Sequence, residues 1–429
     1  MVKSIHTPIK KCLHCAAKTF RYRGQKGVAA SIVGPEHMSE VSTTQVQCGR
    51  RGCRIVHRTN FAWPKKVDTL TFNQMKMQGV YFVTNKLGFT MTYLELQYLR
   101  LMRGRLVPGQ EVDALQIYEG GDVASKSMHN LRDNLFHALE GFALARRTPD
   151  DVVQFDVNFP AGVFTKDRSP VLFPPATECK SICFDGLFGL SRALDPHVDG
   201  PRRALGKIRK RTAKKPSGKR SRSKAAKSVV KAKSKKKQLY YKDEDRTATC
   251  ASKDKIRRTL PGRTGGWQFA LDPSTMQVLG AMEHKENECT TDKITLLKAV
   301  MGMEGVNADL LIHDDMCHFE RSALIHAPEA FAAVKYWVID KFHRKNHVCS
   351  KCVWTHREKI RCKGIPTSAS ESFNAWIRVV NFFVNSMRPA SHRFWVTEFM
   401  QFFNDHPEAG MLILAKPRFH KPGRRASQD

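Results

Sequence analysis

No stretch of this sequence approaches the roughly 18 consecutive apolar residues of a membrane-spanning helix. The opening MVKSIHTPIKKCLHC has no apolar core of a secretory signal. The expectation is an intracellular chain with reduced thiols, whose 12 cysteines are read by spacing as metal ligands rather than disulfides. Acids are scarce as well, with 40 Asp+Glu against 72 Lys+Arg and a net charge of +32. Between Arg202 and Lys237 there are none, against 18 Lys and Arg, and omitting that segment still leaves the remainder at about +14. RTAKKPSGKRSRSKAAKSVVKAKSKKK also lacks the apolar stripe with which a basic helix lies on a membrane. The expected polyanion is therefore nucleic acid, whose phosphates release condensed counterions when neutralised, and not a membrane. The same block reads as a nuclear address.

What is present points to a globular chain. At 429 residues and 41% hydrophobic content it is long enough for two or three cores. Residues 1–60 carry CLHC (Cys12, Cys15) and CGRRGC (Cys48, Cys53), two close pairs across a long loop that can bring four thiolates to one structural zinc. Four unconnected thiols are the alternative, and His14 and His57 are substitute ligands. Residues 61–178 mix short strands with helices. VYFVTNKLGFTMTYLELQYLRLM reads as a strand, a turn at Leu87-Gly88 and a helix, and residues 125–147 as a helix with His129 and His137 on its surface or in the core. This region is expected to be a helical DNA-binding or docking domain. Residues 199–246 read as a disordered basic insertion, and 406–429 as a basic tail.

From 179 onward the order of elements is informative. ECKSICFDGLFGLSR reads as a strand, GGWQFALDP and TMQVLGAME as a hairpin, and DKITLLKAVMGM as a helix capped by Thr290 or Thr291. ADLLIHDD is a strand, MCHFERSALIHAPEAF a helix, VKYWVID a strand and SESFNAWIRVVNFFVNSM the last long helix. This order predicts a mixed α/β fold, and it fits a ribonuclease H-like core over 179–405.

That topology lets three distant acids converge: Asp185 in the first strand, Asp314 at the end of the fourth, and Glu371 in the first turn of the final helix. Carboxylates held this close repel one another unless cations fill the gap. Two Mg²⁺ (or Mn²⁺) ions are the expected occupants, suited to oxygen ligands and to phosphoryl transfer. Each acid has a plainer reading. Asp185-Gly186 is a turn signal, Asp314 and Asp315 can exchange the roles of ligand and helix cap, and Glu371 suits a helix N-terminus electrostatically. Asp272, Glu283 and Asp340 compete for places.

Between the fifth strand and the last helix lie His343, His347, Cys349, Cys352, His356 and Cys362. The expectation is a second structural zinc held by Cys349, Cys352, Cys362 and His347, with His343 and His356 as rivals, bracing the chain that carries Glu371. A redox CxxC or unliganded thiols are the other readings. Lys341, Arg344, Lys345, Arg357, Lys359, Arg361 and Lys363 crowd the same stretch. They are either contacts for DNA phosphates or a solvated charged loop. Trp354 and Trp376 read as packing residues.

The blocks CFDGLFGL, LLIHDDMC, VIDKFHRKNHVCSKC and TSASESFNAW, in this order, resemble transposases of the Kyakuja-Dileera-Zisupton (KDZ) group. The upstream cysteine cluster is similar to one those enzymes often carry. The resemblance implies a DDE recombinase with a ribonuclease H-like core, acting on transposon ends and target DNA. Asp185, Asp314 and Glu371 match its three acids, and Asp340 with His343 matches its D-x-x-H signature. It also allows a homo-oligomer. The lysine-rich insertion after the first acid strand departs from the family pattern. Two other readings therefore stand beside an active transposase: a catalytically inactive, zinc-containing DNA-binding descendant, and a different nuclease acting on RNA or a hybrid.

Overall fold

Strands whose residues are apolar on both faces must be covered on both faces, and the central sheet of this protein has that character. A computed structural model of the chain describes residues 3–5, 15, 18, 20–22, 28–35, 38–43, 46–53, 56–57, 61–63, 67–68, 71–84, 87–104, 126–147, 149–150, 169–194, 262–284, 289–344, 347 and 353–406. Cys12, His14, Lys345, Cys349, Cys352, the basic segment 199–246 and the tail from 407 lie outside them. Among the described residues no helix is long and apolar enough to cross a membrane.

The amino-terminal third forms two small sheets. Strands β1 (Lys3–Ile5), β3 (Val28–Val33), β4 (Met38–Thr43), β9 (Val80–Phe82) and β10 (Leu87–Thr90) make one, in the order β1-β4-β3-β10-β9. Strands β2 (Phe20–Tyr22), β5 (Val46–Cys48), β6 (Val56–His57), β7 (Phe61–Trp63) and β8 (Val67–Asp68) make the other. Leu87 and Gly88, expected as a turn, instead begin β10, because their backbone pairs with Ser31 and Ile32 of β3. Helix α1 (Phe72–Gln78) starts on a Thr71–Gln74 reciprocal cap and stops at left-handed Gly79. Helix α2 (Met91–Leu99) follows β10, and α3 (Lys126–Arg147) packs against both helices.

The central sheet contains β11 (Val171–Leu172), β12 (Cys179–Leu187), β13 (Gly266–Leu271), β14 (Val278–His284), β15 (Val306–His313) and β16 (Tyr336–Ile339). Its order is β11-β14-β13-β12-β15-β16, antiparallel from β11 to β12 and parallel from β12 to β16. This is a mixed α/β architecture. Helices α4 (Thr290–Met301) and α5 (Met316–His326) cover one face through Ile182, Phe184, Leu279 and Leu311. The other face, through Cys183, Leu187, Phe269 and Ile312, meets α7 (Ala369–Ile377), α8 (Asn381–Val384), α9 (Pro389–Asp405) and α3. Short α6 (His356–Arg361) precedes them.

Two local expectations are corrected. The cap of α4 is Cys289, not Thr290 or Thr291, and both threonines lie inside the first turn. The long final helix is broken into α7, a 3₁₀ turn at Arg378–Val380 and α8. The bend lets Phe383 and Val384 turn into the same core as Phe373 and Trp376. Helix α9, with Pro389 in its first turn, supplies Phe394, Trp395, Phe399, Met400, Phe402 and Phe403 to that core.

Candidate metal-binding cleft

Asp185 is held in a strand because β12 is paired on both sides. Asp185 faces Phe269 and Gly186 faces Gln268 across the antiparallel ladder, while Cys183 faces Ile312 across the parallel one. The Asp-Gly turn signal is thus overridden by sheet pairing. Period-two alternation sends Cys183, Asp185 and Leu187 toward α7 and Phe184 toward α5. Asp185 Oδ1 accepts the Gly186 N–H at 2.8 Å, and Oδ2 accepts from Asn374 Nδ2 of α7 at 2.8 Å.

Asp314 follows the last residue of β15, and Glu371 lies in the first turn of α7. These two and Asp185 line one cleft, together with Cys183, His313, Asp340, His343 and Ser370. The side chains of Asp314 and Glu371 keep 41% and 38% of their surface exposed, so both are open to an incoming ion. Oxygens of Asp185 and Asp314 and a ring nitrogen of His313 all fall within 4.8 Å of one another. His313 is placed to position rather than to ligate. Its Nδ1 sits 2.8 Å from the Phe184 carbonyl and 3.1 Å from Asp314 Oδ1, and its Nε2 lies 2.8 Å from Lys293 Nζ of α4. Both ring nitrogens are therefore engaged, and the ring stacks on Phe184 at 4.3 Å.

Asp340 and His343 form a second layer beside the acids. Buried Asp340 accepts from Thr367 Oγ1 at 3.0 Å and from the Phe342 N–H at 3.1 Å. Its other oxygen faces His343 Nδ1 at 3.2 Å, which turns Nε2 toward Glu371 Oε1 at 3.5 Å. The hydrogen bond to Asp340 raises the His343 pKa above its ordinary value against the opposing effect of burial, and Asp314 and Glu371 add to it. An imidazolium there offsets part of the carboxylate charge. Burial works against ionised Asp314, but His313, Lys293 and His343 together hold its carboxyl below the ordinary range. Burial raises Asp315. Cys183, buried beneath Ser370, has its thiol pushed up to about 12 and is no nucleophile at neutral pH.

The competing acids have other work. Asp272 accepts from Ser274 N and Thr275 Oγ1 in the β13–β14 turn. Glu283 is ion-paired to Arg192 at 2.9 Å, with both side chains at most 3% exposed. Asp315 stands at the start of α5 but makes no side-chain cap. It faces His318 at 3.8 Å instead.

Among the cysteines, Cys15, Cys48 and Cys53 bring their sulfurs within 4.8 Å of one another, with Cys15 and Cys48 at 3.4 Å. Cys48 ends β5, and a turn closed by Cys53 N–H to Arg50 O, with Gly52 at φ +87°, brings Cys53 back. Thiolates on one tetrahedral zinc stand roughly 3.8 Å apart, so this group is able to hold a metal. Cys362 is elsewhere. It is buried in the large apolar cluster, its thiol pushed up to about 11 chiefly by burial, and it belongs to no metal-competent group among the described residues. His347 Nδ1 lies 3.8 Å from Cys317 Sγ of α5. His356 is exposed at the start of α6.

The basic residues divide. Lys341, Arg357, Lys359 and Lys363 are exposed. Arg361 is committed to Asp309 at 2.6 Å and to the Lys180 carbonyl at 2.9 Å, and Arg344 lies over the Trp354 ring. Trp376 is packed in the core.

Sequence reasoning did not single out Asn374, His313, Lys293 or Cys317. Asn374 had a signal, standing one helical turn after Glu371 and thus on its face. His313 directly precedes the Asp314-Asp315 pair. Lys293 had none, because only tertiary packing brings α4 under β15. Compared with family models, curated proteins and solved structures, the chain matches none.

Proposed function

We propose that this protein is a DDE-type enzyme that cleaves and joins DNA strands, built on a ribonuclease H-like core and related in chemistry to the KDZ transposases that its sequence blocks resemble. The observation that carries the reading is the shared cleft of Asp185, Asp314 and Glu371, drawn from the first strand, the end of the fourth and a late helix of the 179–405 region. Strand order and direction support it: leaving β11 aside, the sheet reads third, second, first, fourth, fifth, with the first three antiparallel and the last two parallel.

The donor set fits Mg²⁺ or Mn²⁺. It is rich in oxygen, half exposed, and short of positive charge near the acids. Asp185, Asp314 and Glu371 would hold the ions, whose chemistry when bound is activation of a water or 3′-hydroxyl and stabilisation of the leaving oxygen. The chain's own residues orient the ligands. Asn374 fixes the plane of the Asp185 carboxylate, His313 and Lys293 keep Asp314 ionised, and Asp340 turns His343 toward Glu371. Exposed Lys341, one residue after cleft residue Asp340, supplies a phosphate contact beside the cleft, and exposed Arg357, Lys359 and Lys363 on or just after α6 supply further ones. The Cys15, Cys48 and Cys53 group suits structural zinc, with Cys12 the fourth thiol in sequence. The basic segment Arg202–Lys237 serves as nonspecific DNA tether and nuclear address.

Full-length protein incubated with supercoiled plasmid should nick it only with Mg²⁺ or Mn²⁺, and Asp185→Asn should abolish this while leaving DNA binding. Retained binding with no cation-dependent nicking by the unaltered protein would replace the enzyme reading with that of an inactive DNA-binding descendant.

A further inference from the structure

The first turn of α5 carries an unusual set of side chains. Asp315, Cys317 and His318 each offer a ligand atom, and these atoms lie within 4.8 Å of one another at half-buried positions. Asp315 occupies the cap position yet does not cap, its carboxylate facing His318. A fourth donor arrives from a different part of the chain, with His347 Nδ1 at 3.8 Å from Cys317 Sγ. Two donors on a tetrahedral zinc, at about 2.3 Å for sulfur and 2.0–2.1 Å for nitrogen, stand roughly 3.6 Å apart. The observed separation is close to that value and long for a neutral hydrogen bond.

We propose that Cys317 and His347, with Asp315 and His318 completing the shell, form a zinc site that joins α5 to the segment following β16. The site contains a thiolate and two imidazoles, a set that selects a borderline-soft ion such as zinc. The acid cleft next to it is oxygen-rich and suits hard ions. The two sites are adjacent in sequence on both sides: Asp315 follows cleft residue Asp314, and His347 lies four positions after His343. One ion would therefore tie together the two segments that deliver Asp314 and His343 to the cleft. It replaces the expected ligand Cys362 with Cys317, and it does not depend on the nuclease reading.

The test is the zinc content of purified full-length protein after dialysis against a weak chelator. Roughly two zinc ions per chain are expected, one here and one at the amino-terminal thiols. Cys317→Ser and His347→Ala should each lose one ion, Cys48→Ser the other, and Cys362→Ser none. Cys317→Ser retaining the full content overturns the proposal, as does Cys362→Ser losing an ion while Cys317→Ser does not. Because Cys317→Ser can fail through misfolding, Cys317→His provides a second readout. After cobalt substitution it should keep the metal and lose intensity in the near-ultraviolet thiolate-to-cobalt band. An unchanged band shows that Cys317 is not a ligand. Asp185→Asn should leave the zinc content at the wild-type value, so a failure of nicking and a failure of this site are separable.

Discussion

Two polar regions of the central sheet treat their charges in opposite ways. Beyond the amino-terminal end of β13, Arg192 meets Glu283, and Trp267 Nε1 donates to His392 Nε2 while His392 Nδ1 donates to the Val384 carbonyl. Every one of these side chains is almost fully buried, and each charge or ring nitrogen has a dedicated partner. At the cleft, Asp185, Asp314, Asp340 and Glu371 gather near Lys293 and His343, an imidazole whose pKa is raised chiefly by its hydrogen bond to Asp340, and two of the acids are substantially exposed. The first region is compensated within the fold and holds it together. The second carries an acidic excess that the fold leaves open, an arrangement able to receive a cation.

The contrast can be broken first at the cleft. Asp185→Asn or Asp314→Asn should reduce cation-dependent nicking on the order of 10³-fold or more, and Asp314→Asn should also lower stability at neutral pH, because His313, Lys293 and His343 favour its ionised form. Thermal melting beside plasmid nicking reads both. Next, Glu283→Gln strips one partner from a buried pair and should cost about 3–5 kcal/mol in urea unfolding, with nicking by the remaining folded fraction unaffected. A third variant sharpens the boundary: Asn374→Ala removes the orienting donor of Asp185 and should lower nicking roughly 10–100-fold with little loss of stability.

The smallest effect is in pH dependence, where the two regions should slope in opposite directions. Burial holds His392 below its ordinary pKa, so the unfolded chain takes up the proton more readily. Its contribution to stability is present above about pH 6.5 and is lost as pH falls from there through the folded-state value. His343 is raised, so its contribution is full below about pH 6.5 and is lost as pH rises through its folded-state value. Urea titrations from pH 5 to 8 on His392→Gln and His343→Gln should each flatten one of these slopes. If both variants flatten the same limb, the assignment of the two rings is wrong.

Much of the central architecture could be read from residue order alone. The run from SICFDGL to YWVI shows strands as short apolar stretches and helices by periodicity, with Asp185 inside its first strand and Asp314 directly after its fourth. What escaped depends on tertiary contact. Leu87-Gly88 has turn chemistry, but β3 lies alongside and its backbone groups are satisfied in a ladder. SESFNAWIRVVNFFVNSM is helical in period throughout, and the break at Arg378–Val380 follows from where Phe383 must be buried. Arg361 reads in its basic run as a phosphate contact or a solvated charge, and Asp309, more than fifty residues earlier, pairs with it instead. The ligand partner of His347 lay thirty residues upstream in a helix with no metal-like spacing.

The join between β12 and β13 bears on how the molecule acquires this arrangement. Leu187 pairs with Trp267, so residues 188–265 separate two strands that are neighbours in the ladder. Gly266, at φ +97°, permits the re-entry, since a Cβ there would lie 2.3 Å from the Leu187 carbonyl oxygen. By contrast, β13 and β14 are closed by a tight turn over Asp272–Gln277. Closing the longer loop costs about 2 kcal/mol more in chain entropy, which orders assembly: the β13–β14 ribbon first, β12 afterwards. Asp185 rides on the later strand. During refolding, amide protection in β13 should precede that in β12, and the cleft should become competent only once β12 has docked.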